Sequence, residues 1–359
     1  MGLNIKPQFR VIANRRDITA TIADRLKHIR LTDETGVTSD TLEICLADHD
    51  PRARVKLPPT GAELEVSFGY DGTARRMGLF VCDEVQLSGP PDELTILARA
   101  APYESSSGGR VDIQSQKSRS WAAGTRIGDM VRRIAGEHRL TPKVSESLAA
   151  IQLPHIDQAS ESDMNLLLRI ARRYDAIAKP AGGFLLFVRR GEAQSATGAA
   201  LPRVTLRPED GGSYRVTIAS RDSPGTVVAF YRDMALAERR QVAVGEGEPV
   251  ARLRMQYKDQ ASAESAATAE LRRRARRERT LHYTFPGRPD VLAECIVDMH
   301  GFRDGVSGEW LVTRAEHYIG PEGYRCTIEA EQPNSAESVF RVNGAPVADT
   351  VEAGTLIEE

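Results

Sequence analysis

Six of the eight residues from Arg272 to Arg279 are arginine, in the order RRRARRER. A guanidinium is always charged and presents a planar fork of donors that matches phosphate and carboxylate alike. The run therefore suits one of two tasks: gripping a nucleic-acid backbone, or meeting the carboxylates of a protein. Helical spacing over 261–279 places Ala263, Ala266, Ala267, Leu271 and Ala275 on one narrow side that can lie close on a sheet. Glu264 and Glu270 fall toward the helix start and the arginines toward its end, the order the helix dipole favours. Helix stability and solvation thus account for much of the arginine density. They favour a solvated or protein-facing row that includes Arg272, Arg273, Arg276 and Arg277. A phosphate-contacting patch is the alternative, although no interleaved aromatics offer bases a stacking platform. The chain carries 48 Lys and Arg against 50 Asp and Glu, a formal net charge of −2. A dedicated nucleic-acid binder usually has a basic excess, so sequence-specific nucleic acid is not an expected partner.

The remaining chemistry-bearing residues do not assemble into a catalytic motif. The histidines are His28, His49, His138, His155, His282, His300 and His317, and no pair has the HExxH spacing of a zinc protease. Glu316 and His317 are adjacent in a strand pattern, which sends them to opposite faces. No Gly-x-Ser-x-Gly elbow appears, and Gly245 and Gly247 fit neither a phosphate loop nor a dinucleotide fingerprint. Cys45, Cys82, Cys295 and Cys326 lie far apart in strand-like runs and read as small buried hydrophobes. The expectation is no catalytic residue, no cofactor and no metal. A hydrolase with paired carboxylates needs a set separation that sequence does not display. Gly287-Arg288-Pro289-Asp290 reads as a turn, either a shaped loop that contacts a partner or a tight structural bend.

The elements that would position these residues alternate in character. Residues 5–103 hold short alternating runs such as DTLEICLAD (40–48), with Asp71-Gly72 as a hairpin signal, and suggest a small barrel or sandwich. Residues 104–124 are polar and rich in Gly and Ser, a linker or long loop. Residues 125–202 form an α/β insert. One helix begins at Thr125 as N-cap, and a second carries capping-box spacing between Ser160 and Asp163. Residues 203–331 return to β, interrupted by helix 261–279, with Trp310 as a core residue. Gly320-Pro321-Glu322-Gly323 marks a further hairpin. The tail 332–359 is polar. The fold class is mainly β with an α/β insert. The start MGLNIKPQFR has no apolar core, and no apolar run is long enough to span a bilayer, so no membrane anchor is expected.

Several stretches together resemble the phage late control protein D family. They are GDMVRRIAGEHRLTPKVSESLAAIQLPHIDQASESDMNLLLRIARRYDAIA (128–178), GGFLLF (182–187), LHYTFPGRPDVLAE (281–294) and HGFRDGVSGEWLVTRAEHYI (300–319). The similarity runs in order from about residue 5 to residue 331. Members of that family are baseplate hubs of contractile phage tails and tail-like bacteriocins, related to the N-terminal part of the type VI secretion spike protein. The resemblance implies two tube-type β-barrels flanking the small α/β domain, over 5–103 and 203–331. It implies a homotrimer whose six barrels form a pseudo-sixfold ring between a sixfold tail tube protein and a threefold central spike protein. Other baseplate proteins would be further partners, and Arg272, Arg273, Arg276 and Arg277 would face a neighbouring subunit or one of these. Assembly would occur in the host cytoplasm, before residence in the virion tail baseplate or a tail-like particle. The alternatives are a peptidoglycan hydrolase carried in the 125–202 insert and a nucleic-acid module built on the arginine helix.

Overall fold

The computed structural model describes residues 6–36, 39–50, 52–100, 113, 115–181, 183–190, 203–219, 225–234, 236–333 and 342–346. The first β region comprises β1 (Pro7–Ala13), β2 (Arg16–Asp17), a short helix α1 (Thr19–Ala23), β3 (Leu26–Glu34), β4 (Thr41–Ala47), β5 (Glu63–Tyr70), β6 (Arg75–Ser88) and β7 (Glu93–Ala100). Its strands pair antiparallel in the order β3-β4-β7-β6-β5-β1-β2. Period-two alternation sends Leu42, Ile44 and Leu46 of β4 and Leu64, Val66 and Phe68 of β5 into one apolar core with Phe80. The bend between β5 and β6 uses Asp71 and Gly72, both left-handed at φ +42° and +88°. Aspartate and glycine tolerate that region best, which is why the pair signals a turn.

The insert contains β8 (Gln116–Trp121), α2 (Ile127–Glu137), β9 (Thr141–Val144), α3 (Glu146–Ala149), β10 (Ile156–Ser162), α4 (Asp163–Arg173), β11 (Ala176–Ala181) and β12 (Phe184–Arg189). Strands β10 and β8 pair antiparallel, and β11-β12-β9 form a second small sheet. Helices α2 and α4 bury Met130, Val131, Ile134, Leu166, Leu167 and Ile170 in a common core. Three expectations need correction here. Within the presumed linker 104–124, residues 116–121 form a strand; QKSRSW buries only Trp121, so no apolar alternation announces it. The rest of that linker, apart from Ile113, Ser115 and the stretch after Trp121, lies outside the described residues. The cap of α2 is Arg126, because the Thr125 hydroxyl donates to the Ala122 carbonyl instead. The cap of α4 is Ser162, whose Oγ accepts from the Asn165 amide at 3.2 Å, while Ser160 sits at φ +46° in the preceding strand.

Beyond the insert come β13 (Arg203–Leu206), a 3₁₀ turn (Pro208–Asp210), β14 (Ser213–Ile218), β15 (Thr226–Asp233), β16 (Glu238–Gly245), β17 (Val250–Tyr257), α5 (Gln260–Arg277), β18 (Arg279–Pro286), β19 (Ile296–Met299), β20 (Gly308–Gly320), β21 (Gly323–Glu331) and β22 (Val342–Pro346). The described residues group into two compact units, one within 6–219 and 276–333, the other within 225–275 and 342–346. The β region expected as one piece over 203–331 is therefore interrupted.

In the first unit, β14-β18-β21-β20 form a run that joins the first β region through antiparallel pairing of β20 with β3, from Arg314 opposite Glu34 to Ile319 opposite Ile29. Strand β19 pairs with β20, and β13 with β19. This second β region has its own core of Leu281, Tyr283, Phe285, Val297, Trp310 and Ile328. Trp310 is buried, and its indole N–H donates to the Val306 carbonyl at 2.8 Å. One hydrogen-bonded sheet thus carries two separate cores. The insert is tied to β3 as well: Lys179 Nζ donates to Asp40 Oδ1 at 2.5 Å and to the Glu34 carbonyl at 3.2 Å.

In the second unit, the sheet order is β17-β15-β16-β22. Helix α5 packs Ala263, Ala267 and Leu271 against Val227, Ala229, Val242 and Val244. Small residues at helical spacing let the helix lie close on the strands, as its sequence suggests. Ala275 is exposed, contrary to expectation, because the helix residues in this core stop at Leu271. The helix also ends two residues early, and Arg279 opens β18.

Candidate functional site

The turn Gly287–Asp290 follows β18. Tyr70 of β5 donates its hydroxyl to the Gly287 carbonyl at 3.0 Å, and the Gly287 amide donates to the Tyr324 carbonyl at 2.9 Å. A Cβ on Gly287 would stand 2.2 Å from the Tyr324 ring. The glycine is required for close approach and not for a left-handed backbone, since its φ is not positive. Arg288 forks onto Asp290, with Nε donating to Oδ1 at 3.0 Å and Nη2 to Oδ2 at 2.7 Å. Burial pushes the Asp290 carboxyl up, but the Arg288 fork outweighs it and holds it below its ordinary value. Behind the turn, His317 is fully buried. Its Nε2–H donates to the Val291 carbonyl at 3.0 Å, which leaves Nδ1 to accept from the Tyr324 hydroxyl at 2.9 Å. Burial drops the His317 pKa to about 4, so the ring is neutral and structural. The turn borders a hollow of about 460 Å³ walled by Pro7, Tyr70, Phe285, Pro286, Arg288 and Tyr324. Proline and aromatic walls with an already paired guanidinium suit contact with a protein surface, not bond chemistry.

The arginine run divides by environment. Arg276 is 1% exposed. Its Nη1 and Nη2 donate to Asp175 Oδ2 and Oδ1 at 2.7 and 2.6 Å, and its Nε donates to Glu331 Oε1 at 2.8 Å. Arg190 Nη1 lies 3.8 Å from Glu331, which gives two guanidiniums to two carboxylates. The expectation that Arg276 faces a partner is therefore corrected. Two carboxylates, one from the turn after α4 and one from β21, neutralise it inside its own chain, the condition under which a buried charge is tolerated. Arg273 pairs with Glu270, and Arg274 Nε donates to Glu270 at 2.6 Å. Arg272 and Arg273 are half-buried, and Arg277 is exposed. Sequence spacing does not reveal Asp175 or Glu331, which lie 101 and 55 residues from Arg276.

The insert holds a third cluster that bears on the hydrolase alternative. Glu137, His138 and Asp163 bring ligand atoms within 4.8 Å of one another. Asp163 is fully buried and accepts from Lys117 Nζ at 2.6 Å, Arg119 Nη2 at 2.5 Å, His138 Nε2 at 2.7 Å and Gln158 Nε2 at 2.8 Å. Burial raises its pKa, yet the hydrogen bonds and the nearby Arg119 charge bring it down to about 2. A general acid requires the reverse shift. Lys117 and Arg119 also bind Glu137, at 3.1 and 2.6 Å, so a divalent ion would have to displace both cations. Arg119 and Arg133 lie over the buried Trp121, at 4.6 and 5.3 Å from the ring. The cluster fastens β8 to α2 and α4.

The chain is a mainly β scaffold in which one sheet carries two cores. A 43 kDa tail protein of prophage MuSo2 from Shewanella oneidensis shares that fold, with a TM-score of 0.67 at 15% identity over 91% of this chain and 99% of its own. The profile of the family described as phage tail baseplate hub (GPD) matches residues 48–323. The "Probable baseplate hub protein" of Escherichia phage P2 is 31% identical, and that of Escherichia phage 186 is 30% identical. Each alignment covers 92% of this chain and 94% of the relative. The chain belongs to the phage tail baseplate hub family.

Proposed function

We propose that this hub joins a sixfold tail tube to a threefold central spike as a homotrimer. Each chain would present two tube-type barrels, one from 5–103 and one from the parts of 203–331 that belong to the first unit, so that three copies offer six similar sites to the tube. The observation that supports the reading is the pair of β regions in one chain, each with its own core, hydrogen-bonded to each other through β3 and β20. Arg272, Arg273, Arg277 and the turn carrying Gly287, Arg288, Pro289 and Asp290 are the surfaces assigned to neighbouring subunits or baseplate proteins. Charged rows of this kind set orientation and association rate more than affinity.

The role is structural, not enzymatic: Asp163 and Glu137, the clustered carboxylates of the insert, are bound to Lys117 and Arg119 and held below their ordinary pKa values. The test is the mass of the purified chain in solution, alone and with the spike protein. Three copies, with the spike or without it, support the ring, whereas a monomer under both conditions rejects it. Peptidoglycan zymography of the same protein should show no clearing. A clearing band that disappears in Asp163→Asn would restore the hydrolase.

A further inference from the structure

The second unit carries an exposed feature that the hub reading leaves unassigned. At the end of the β15–β16 hairpin, Arg232 stands directly opposite Arg239. Both are exposed, and among the described residues neither has a carboxylate partner. Like charges facing each other across strands destabilise a sheet. The neighbouring pair Arg240 and Asp233 is matched instead, at 3.6 Å. Beyond the arginines the hairpin tip holds Met234, 78% exposed, and Leu236, 55% exposed. Arg239 is already ordered, its guanidinium 4.1 Å from the Phe230 ring centroid.

We propose that this hairpin end is a docking element for a protein face that combines an apolar recess with carboxylates. The proposal rests on the hub reading and gives one of the hub's protein partners a chemistry. Methionine and arginine are enriched where proteins meet, and methionine adapts its shape to irregular recesses. The two guanidiniums supply the charge to be matched, and the stacking on Phe230 lowers the ordering cost of one of them. A nucleic-acid backbone would match the arginines but leave Met234 and Leu236 in water. A second copy of the same hairpin would bring four guanidiniums together.

The test places a photo-cross-linking amino acid at Met234 of the full chain, in cells that are assembling particles, and sequences the cross-linked peptide. The expected product is a peptide of another protein with Asp or Glu beside apolar residues. Arg232→Glu with Arg239→Glu should lower the yield about tenfold, and the Lys pair should keep most of it. Arg232→Glu alone creates an opposite-charge pair across the strands, so it should lose cross-linking with an unchanged or raised Tm. No cross-link, a nucleic-acid adduct, a cross-link to the same chain, or a peptide lacking carboxylates would overturn the proposal. Immunodetection of the chain in purified baseplates reads the hub role separately. A chain absent from baseplates that still cross-links to an acidic face leaves this proposal standing and removes the hub.

Discussion

Arg276 and the Arg232–Arg239 pair put the same side chain to opposite uses. Arg276 is enclosed and forks onto Asp175 while also binding Glu331. Arg232 and Arg239 face each other in the open, with no carboxylate partner among the described residues. The difference shows that arginine density is a poor guide to role; what decides is how many carboxylates the fold brings to each guanidinium. Among the described residues, the densest run contains the most internal arginine, and a hairpin with fewer arginines contains an unmatched pair.

Substitutions can break this contrast in graded steps. Arg276→Ala should cost the most, about 3–5 kcal/mol, because Asp175 and Glu331 would stay buried without their partner. Denaturant unfolding of the purified chain reads that loss, and a cost near zero would place Arg276 outside the core. Gly287→Ala should be next, at about 1–3 kcal/mol, because its Cβ has no room against Tyr324. The same unfolding curve checks it, with Gly69 as a second crowded glycine for comparison.

Acid provides a third probe, aimed at the insert. The Asp163 pKa is depressed from 3.8 to about 2 in the folded chain. Its contribution to stability is therefore complete above the unfolded value and is lost as pH falls toward the folded one. Thermal melts between pH 6 and pH 2 should show a steep loss below about pH 4. Asp163→Asn should start less stable and lose less on acidification. The smallest effect belongs to the exposed pair: Arg232→Glu should stabilise the fold by about 0.2–1 kcal/mol, measured as Tm, since it replaces repulsion with attraction.

Local patterns in the sequence predict much of this fold, and their failures have identifiable causes. Leu42, Ile44 and Leu46 alternate because one side of β4 faces a core, so that strand is evident from three residues. Asp71 and Gly72 mark one bend and Gly323 another, because few other residues accept their positive φ values. Strand β8 escapes notice because its order comes from charged partners on α2 and α4, not from apolar alternation. The site is less legible for the same reason. Asp175, at φ +52°, is brought to Arg276 by the turn after α4, and no local spacing encodes that meeting. Arg288 and Asp290 are two residues apart; the sequence marks their turn, and the structure adds the fork between them.

In the proposed ring, three chains present six β regions to a tube. Averaged electron micrographs of the isolated tail end, with the hub labelled at an exposed position such as Leu87, test it most directly. Three labels per ring, inside a layer showing six similar densities, is the predicted image. Six labels, or a single copy with no ring, would contradict it.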